Sequence, residues 1–215
     1  MHSFNFVRDR ELQILCLGAH CDDIEIGCGA TLIDLLASSV KTRVTWVVFS
    51  SNEVREREAR HAASLIGAEA IGIEVLQYRN GYFPFEGAQI KDHFEQLKAR
   101  VQPDVIFTHH VGDAHQDHRT IAELTWNTFR NNLVLEYEIP KFDGDLGRPS
   151  VFVPVSREIA QRKVEVLRSA FVSQQDRQWF TEATFMGLMR LRGLECNSPS
   201  GFAEAFHCRK LCLGL

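Results

Sequence analysis

Apolar positions along this chain follow two alternating periods. "LQILCLG" (Leu12 to Gly18) is a continuous apolar run closed by glycine. It reads as a strand buried on both faces, as a parallel sheet requires. "CGATLIDLLASS" then carries apolar residues at Leu32, Leu35 and Leu36, the spacing of a helix face. "TRVTWVVFSS" is β-branched and aromatic and predicts a second strand. "VREREARHAASLIG" predicts an amphipathic helix stopped at Gly67, and "AIGIEVLQY" a third strand. "NGYFPFEG" has turn residues and a proline, so it predicts a loop. "QIKDHFEQLKARV" reads as a helix, "QPDVIFTHH" as a fourth strand entered through proline, and "DHRTIAELTWNTFR" as a helix. "LVLEYEI" and "SVFVPVS" read as strands split by the Gly/Pro/Asp-rich "PKFDGDLGRP". "REIAQRKVEVLRSA" and "WFTEATFMGLMRLRGL" read as helices, and "FAEAFHCRKLCL" as a short strand or irregular chain.

Strand and helix alternate for most of the length. That order predicts an α/β fold: a doubly wound, mostly parallel sheet with right-handed crossovers and helices on both faces. Residues 1–215 read as one domain, with the tail from about Ser173 forming a C-terminal cap on the sheet. Such sheets bind ligands beyond the carboxyl ends of their strands, near a topological switch point. His20, Asp22 and Asp23 directly follow the first strand, and His109, His110, Asp113, His115, Asp117 and His118 follow the fourth. If those two strands are neighbours, both clusters open into one crevice.

These residue types suit a metal. Two imidazoles and a carboxylate around an open position make a catalytic zinc site, in which the metal lowers the pKa of a bound water to about 7. "HCDD" offers His20 and Asp23, and "HQDH" offers His118 with His115 close by. Asp22 is the spare carboxylate, placed to act as general base. The second imidazole of "HQDH" could donate to a developing oxyanion, with Asp117 holding its ring and favouring its charged form. The parts fit hydrolysis of an amide or ester. They fit covalent catalysis poorly, because there is no GxSxG elbow and Cys21 lies in an acidic setting that raises a thiol's pKa.

Composition narrows the partners. The 215 residues are 45% hydrophobic and 24% charged with a net charge of -4, which gives no reason to expect nucleic acid. No apolar run reaches the length of a membrane span. The start "MHSFNFVRDRELQ" lacks the h-region of a signal peptide. The six cysteines form no CxxC pair. Reduced thiols and a cytoplasmic location are expected, and a homo-oligomer is compatible with all of this.

"AHCDDIEIGCGATL" resembles the signature AHPDDxExGxGGTL of the LmbE-like (PIG-L) family of zinc-dependent N-deacetylases, and "GDAHQDHRT" resembles that family's second signature, HxDH before a helix. "VREREARHAASLIG", "PDVIFTHH" and "RG…FAEAF" are similar to weaker family patterns, so the likeness spans most of the chain. The resemblance implies a Rossmann-like fold and one zinc ion per chain, or another divalent metal. It implies His20, Asp23 and His118 as ligands, Asp22 as general base, and His115 as the group that stabilises the oxyanion or protonates the leaving amine. The implied substrate is a small N-acetylated amino sugar or its conjugate. Four positions depart from the pattern. Cys21 and Gln116 occupy usual proline positions, Ala30 a usual glycine, and Asn80 the place of an aspartate that binds a sugar hydroxyl in many members.

Blander readings stand beside these. His20 and Asp23 could merely cap a helix, and Asp22 could be a solvated loop acid. His109 and His110 read as satisfied, partly buried histidines. Glu25 could equally bond to backbone or touch the site. Arg55 could bind a phosphate or sugar of the substrate, or pair with Glu58 or Glu53. "GYFPF" could stack on a sugar or pack on the sheet. The competing functions are a zinc-dependent amidase on a non-sugar amide, a non-catalytic zinc or sugar-binding module, and a nucleotide- or S-adenosylmethionine-binding Rossmann enzyme. "GCGATL" invites the last of these, although its spacing is not GxGxxG.

Overall fold

The computed structural model describes residues 10–67 and 69–212. Its elements run β1 (Leu12–Gly18), α1 (Asp23–Ala37), β2 (Thr42–Val48), α2 (Glu53–Gly67), β3 (Ile71–Val75), a 3-10 turn (Phe83–Phe85), α3 (Gly87–Arg100), β4 (Val105–His109) and α4 (Gln116–Thr128). They continue with β5 (Leu133–Tyr137), β6 (Val151–Val155), α5 (Arg157–Ala170), a second 3-10 turn (Val172–Gln174), α6 (Glu182–Glu195) and β7 (Phe202–His207).

The seven strands form one sheet in the order β3-β2-β1-β4-β5-β7-β6. Strands β1 to β5 pair in parallel, and β7 pairs antiparallel with both β5 and β6. The order reverses between β1 and β4, which are neighbours in the register Ile14↔Val105 and Cys16↔Phe107. The crevice above that switch point therefore receives the chain leaving both strands.

The continuous apolar character of β1 has a direct use. Leu12, Ile14 and Cys16 face one layer, which holds α1, α2, α5 and α6, while Leu15 and Leu17 face the other, which holds α3 and α4. A strand covered on both faces cannot alternate with polar residues. The tail supplies the expected helix, since Phe185 and Met189 of α6 join the first layer. It also supplies β7, which enters the sheet itself rather than lying over it.

Helix α1 starts earlier than its apolar spacing indicates, at Asp23 instead of Cys28, and it is broken at Cys28 (φ -141°, ψ 16°). The break is held by tertiary partners. The Glu204 carboxylate of β7 accepts from the Ala30 N–H (3.0 Å), the Thr31 N–H (2.7 Å) and the Thr31 hydroxyl (2.6 Å). Lys163 of α5 donates to the Ile26 carbonyl (2.5 Å) and to Glu204 (2.6 Å). One carboxylate thus serves as the anion at a helix start in mid-element, and one ammonium caps the end before it. Gly27 lies under the Tyr137 ring, where an added Cβ would sit 2.3 Å from a ring carbon. The glycine-rich stretch is therefore buried packing and not an open phosphate loop.

Candidate active site

The chain leaves β1 at Gly18 and turns tightly, with the His20 N–H donating to Asp23 Oδ2 at 2.6 Å. Asp22 is the residue before the helix, yet its side chain makes no capping hydrogen bond. Oδ1 of Asp22 instead accepts from Arg55 Nη2 at 2.7 Å. From β4, the chain reaches α4 through a loop in which Asp113 Oδ1 accepts the His115 N–H (2.7 Å) and Asp145 accepts the Ala114 N–H (2.6 Å). His115 is the cap of α4: its Nδ1 accepts the Asp117 N–H at 3.2 Å.

These turns bring two imidazole nitrogens and both oxygens of one carboxylate together. His20 Nδ1 lies 3.2 Å from His118 Nε2 and 3.4 Å from Asp23 Oδ2, and His118 Nε2 lies 3.6 Å from Asp23 Oδ1. Ligands about 2.0–2.1 Å from a tetrahedral zinc ion are themselves ~3.3 Å apart. The two imidazoles and the Asp23 carboxylate are spaced as the ligands of such an ion would be. Two further histidines adjoin the set, since His20, His115 and His118 form one compact group and Asp23, His109 and His118 another.

Each imidazole is held from behind. His118 Nδ1 bonds to Asp113 Oδ2 at 2.9 Å, and His20 Nε2 lies 3.4 Å from Asp117 Oδ2. Such partners fix the ring and leave the opposite nitrogen free to ligate. Asp113 belongs to the cluster that the sequence places after the fourth strand, but its pairing with His118, five residues on, carries no sequence signal of its own. His109 was read as a satisfied, partly buried histidine. It is fully buried, with Nε2 only 3.1 Å from Asp23 Oδ2 and Nδ1 without a hydrogen-bond partner among the described residues.

The electrostatics follow from this crowding. Burial lowers the His20 pKa, but Asp23 and then Asp117 and Asp22 outweigh it and raise it to about 10. The carboxylates around His20 therefore hold a compensating positive charge, and a cation bound there would displace a proton. Burial pushes the Asp22 carboxyl up, with Arg55 opposing it. Burial would also raise Asp23, yet the three neighbouring histidines, His118 first, hold it well below the usual range. Burial pushes the Cys21 thiol up to about 12, and its sulfur points to Ser50 and Ser51.

Several expectations need correction. The Asp117 carboxylate does not hold the His115 ring; it accepts from the Gly81 N–H (2.6 Å) and Phe83 N–H (3.1 Å) and faces His20. Only its backbone N–H reaches His115, because position three of the motif lies inside the first turn of α4. His115 is not poised as an imidazolium, since burial first, and then the charge of His20, lower its pKa. Arg55 lines the cleft and makes the Glu58 pair that the sequence offered as one reading (3.0 Å), and it also reaches Asp22, under the Phe171 ring. Glu25 is buried, no described residue bonds to its oxygens, and burial raises its pKa well above the usual value.

His20, Asp22, Asp23, His115 and His118 line a cleft of about 750 Å³, walled by Tyr78, Arg79 and Asn80 on one side and by Lys141, Phe142 and Trp179 on another. Asn80 is exposed on that wall. Phe142 at the mouth is 75% exposed. Among the described residues no helix is long and apolar enough to cross a membrane.

Two buried carboxylates in and just after β5 also predict acid sensitivity. Burial would raise Glu136 and Glu138, but His110 holds the first below the usual range, and His207 with Arg192 holds the second. A depressed folded-state pKa contributes stability above the unfolded value, near 4.3, that is lost as pH falls through the folded value. The melting temperature is expected to fall below about pH 5, and Glu136→Gln to flatten that slope; an unchanged slope in the variant would exclude Glu136 as a contributor.

A family model described as GlcNAc-PI de-N-acetylase (PIG-L) matches residues 15–129. The chain is 28% identical over 170 residues to YaiS of Escherichia coli K12, an uncharacterized deacetylase, covering 72% of this chain and 88% of that one. Among solved structures, the N,N'-diacetylchitobiose deacetylase of Pyrococcus horikoshii aligns with a TM-score of 0.71 at 21% identity, covering 91% of this chain and 83% of that one. The 4-carboxy-2-hydroxymuconate hydratase GalB of Pseudomonas putida KT2440 aligns with a TM-score of 0.76 at 15% identity, covering 95% and 98%. The last two share the fold, and one fold hosts different reactions.

Proposed function

Because the chain belongs to the PIG-L family and is a deacetylase of that LmbE-like type, we propose that it is a zinc-dependent hydrolase that removes an acetyl group from the nitrogen of an amino sugar or amino-sugar conjugate. The observation that carries this reading is the meeting of His20 Nδ1, His118 Nε2 and the Asp23 carboxylate within 3.2–3.6 Å of one another, with the buried Asp22 beside them at the head of the cleft.

Zinc held by His20, Asp23 and His118 would act as a Lewis acid on the acyl carbonyl and lower the pKa of a water. Asp22 takes the proton of the attacking water. Arg55 occupies Oδ1, so the proton resides on Oδ2. Burial raises the Asp22 pKa, which strengthens the carboxylate as a base, and the Arg55 guanidinium opposes that rise. His115 acts as a neutral donor: its Nδ1 accepts the Asp117 N–H, so the ring proton sits on Nε2 and can be donated to the carbonyl oxygen as charge develops there. Asp22 then returns its proton to the departing amine, and acetate and the free amino sugar leave. The Asn80 wall and the aromatic mouth are the parts of the cleft that meet the sugar.

His115→Ala is expected to retain metal and to lose roughly 10²–10³-fold in kcat, the worth of one oxyanion donor. The alkaline limb of the pH–rate profile should survive in the variant, because a histidine with a lowered pKa is neutral there already. Loss of that limb would restore the imidazolium mechanism.

The reading as a whole is tested by measuring acetate release from a panel of N-acetylated amino sugars by the zinc-loaded protein, alongside N-acyl amino acids. Release from the sugars is expected. Turnover of the N-acyl amino acids alone would make the protein a non-sugar amidase.

A further inference from the structure

The loop between β3 and α3 forms one wall of the cleft, with Arg79 and Asn80 facing the space where the sugar would sit. It turns at Gly81, whose φ of +81° lies in the left-handed region. Its backbone is fastened to the first turn of α4. The Gly81 N–H donates to Asp117 Oδ2 (2.6 Å), the Phe83 N–H to Asp117 Oδ1 (3.1 Å), and the Gln116 side-chain amide donates to the Gly81 carbonyl. The oxygen that receives Gly81 is the one that faces His20 Nε2 at 3.4 Å. A single fully buried carboxylate therefore holds both the cleft wall and the back of a metal ligand.

We propose that Asp117, assisted by Gln116, couples metal binding to the order of the Arg79–Phe85 wall. This rests on the assignment of a metal to His20, Asp23 and His118, and not on the substrate. With Nδ1 committed to a metal, the His20 Nε2–H would be a stronger donor to Asp117 Oδ2 and would hold that oxygen in place. That position is also the anchor of the Gly81 amide, so the wall tightens with it. The coupling is reciprocal: a ligand that orders the wall raises metal affinity by the same factor. Gln116 makes a bond that proline could not, because proline has no side-chain donor.

Asp117→Asn is a sharp probe. Both carboxylate oxygens accept N–H donors here, and an amide must turn its NH2 toward at least one of them. Gln116→Ala removes the Gly81 tether and leaves His20 untouched.

The experiment is hydrogen exchange on the full chain, read for the Arg79–Phe85 segment with and without saturating zinc, with zinc affinity measured by chelator competition. In wild type, zinc is expected to slow exchange of the segment by about 5–150-fold, the usual span of coupling between two sites. Asp117→Asn should bind zinc roughly 10–100-fold more weakly and show no added protection once saturated. Gln116→Ala should keep its zinc affinity, lose part of the protection, and raise KM with kcat unchanged. Equal zinc-induced protection in wild type and saturated Asp117→Asn, or none in wild type, overturns the coupling. A wild type that binds no zinc overturns the metal assignment and the coupling with it, whereas zinc binding without acetate release leaves the coupling standing and rejects only the hydrolase reading. If Asp117→Asn does not fold, Gln116→Ala decides: full protection in that variant overturns the proposal.

Discussion

Alanine at His20, Asp23 or His118 is expected to strip the metal from the protein and reduce acetate release to background. The two imidazole nitrogens and the Asp23 carboxylate lie 3.2–3.6 Å apart, with Oδ2 toward His20 and Oδ1 toward His118, so each residue would supply one ligand of a three-ligand site. No described side chain can replace a lost one without moving its own anchor. His115 is committed to the Asp117 N–H through Nδ1, and His109 Nε2 already accepts the Ala19 N–H at 2.9 Å. Removing His118 also leaves Asp113 facing an empty position with Lys141 at 3.0 Å as its remaining ionic partner. Elemental analysis after dialysis is the measurement. Metal retained in all three variants would reject this set, and metal lost only from variants of Asp23 and His118 would move the ion toward His109.

Asp22→Asn should keep its metal and lose roughly 10²–10⁴-fold in kcat, the usual worth of a positioned general base. The variant is close in shape, and the asparagine oxygen can still accept from Arg55, so folding and metal content are expected to be normal. What changes is that the atom at the Oδ2 position can no longer take a proton. Arg55→Ala gives the complementary result. It removes the charge that opposes burial, so the Asp22 pKa rises further and the acidic limb of the pH–rate profile moves to higher pH. Near-normal turnover of Asp22→Asn would place the base elsewhere.

The PIG-L likeness is legible because metal ligation needs particular residue types at fixed offsets from strand ends. His20 and Asp23 follow β1, and His118 lies in the first turn of α4 beyond β4; one parallel neighbour pair then brings them together. Other parts of the site were legible only as types. The charge state of His115 depends on burial and on His20, which is ninety-odd residues away in sequence and T-shaped against it at 5.0 Å between ring centroids. The Arg55–Asp22 pairing depends on α2 passing beside the start of α1. Neither contact leaves a local signature.

The sequence by itself determined the two-faced burial of β1, the alternation that makes a parallel sheet, and the two motifs at the mouth of its switch point. These are local consequences of periodicity and of what each residue can chemically do. Only the tertiary structure decided that β7 joins the sheet and that its Glu204 holds the broken helix α1. It alone turned the Asp117 carboxylate away from His115 to the Gly81 loop and His20. The physical reason is the same in each case. A buried carboxylate goes to whichever N–H groups would otherwise be left unpaired, and those groups belong to distant segments whose approach is set by packing.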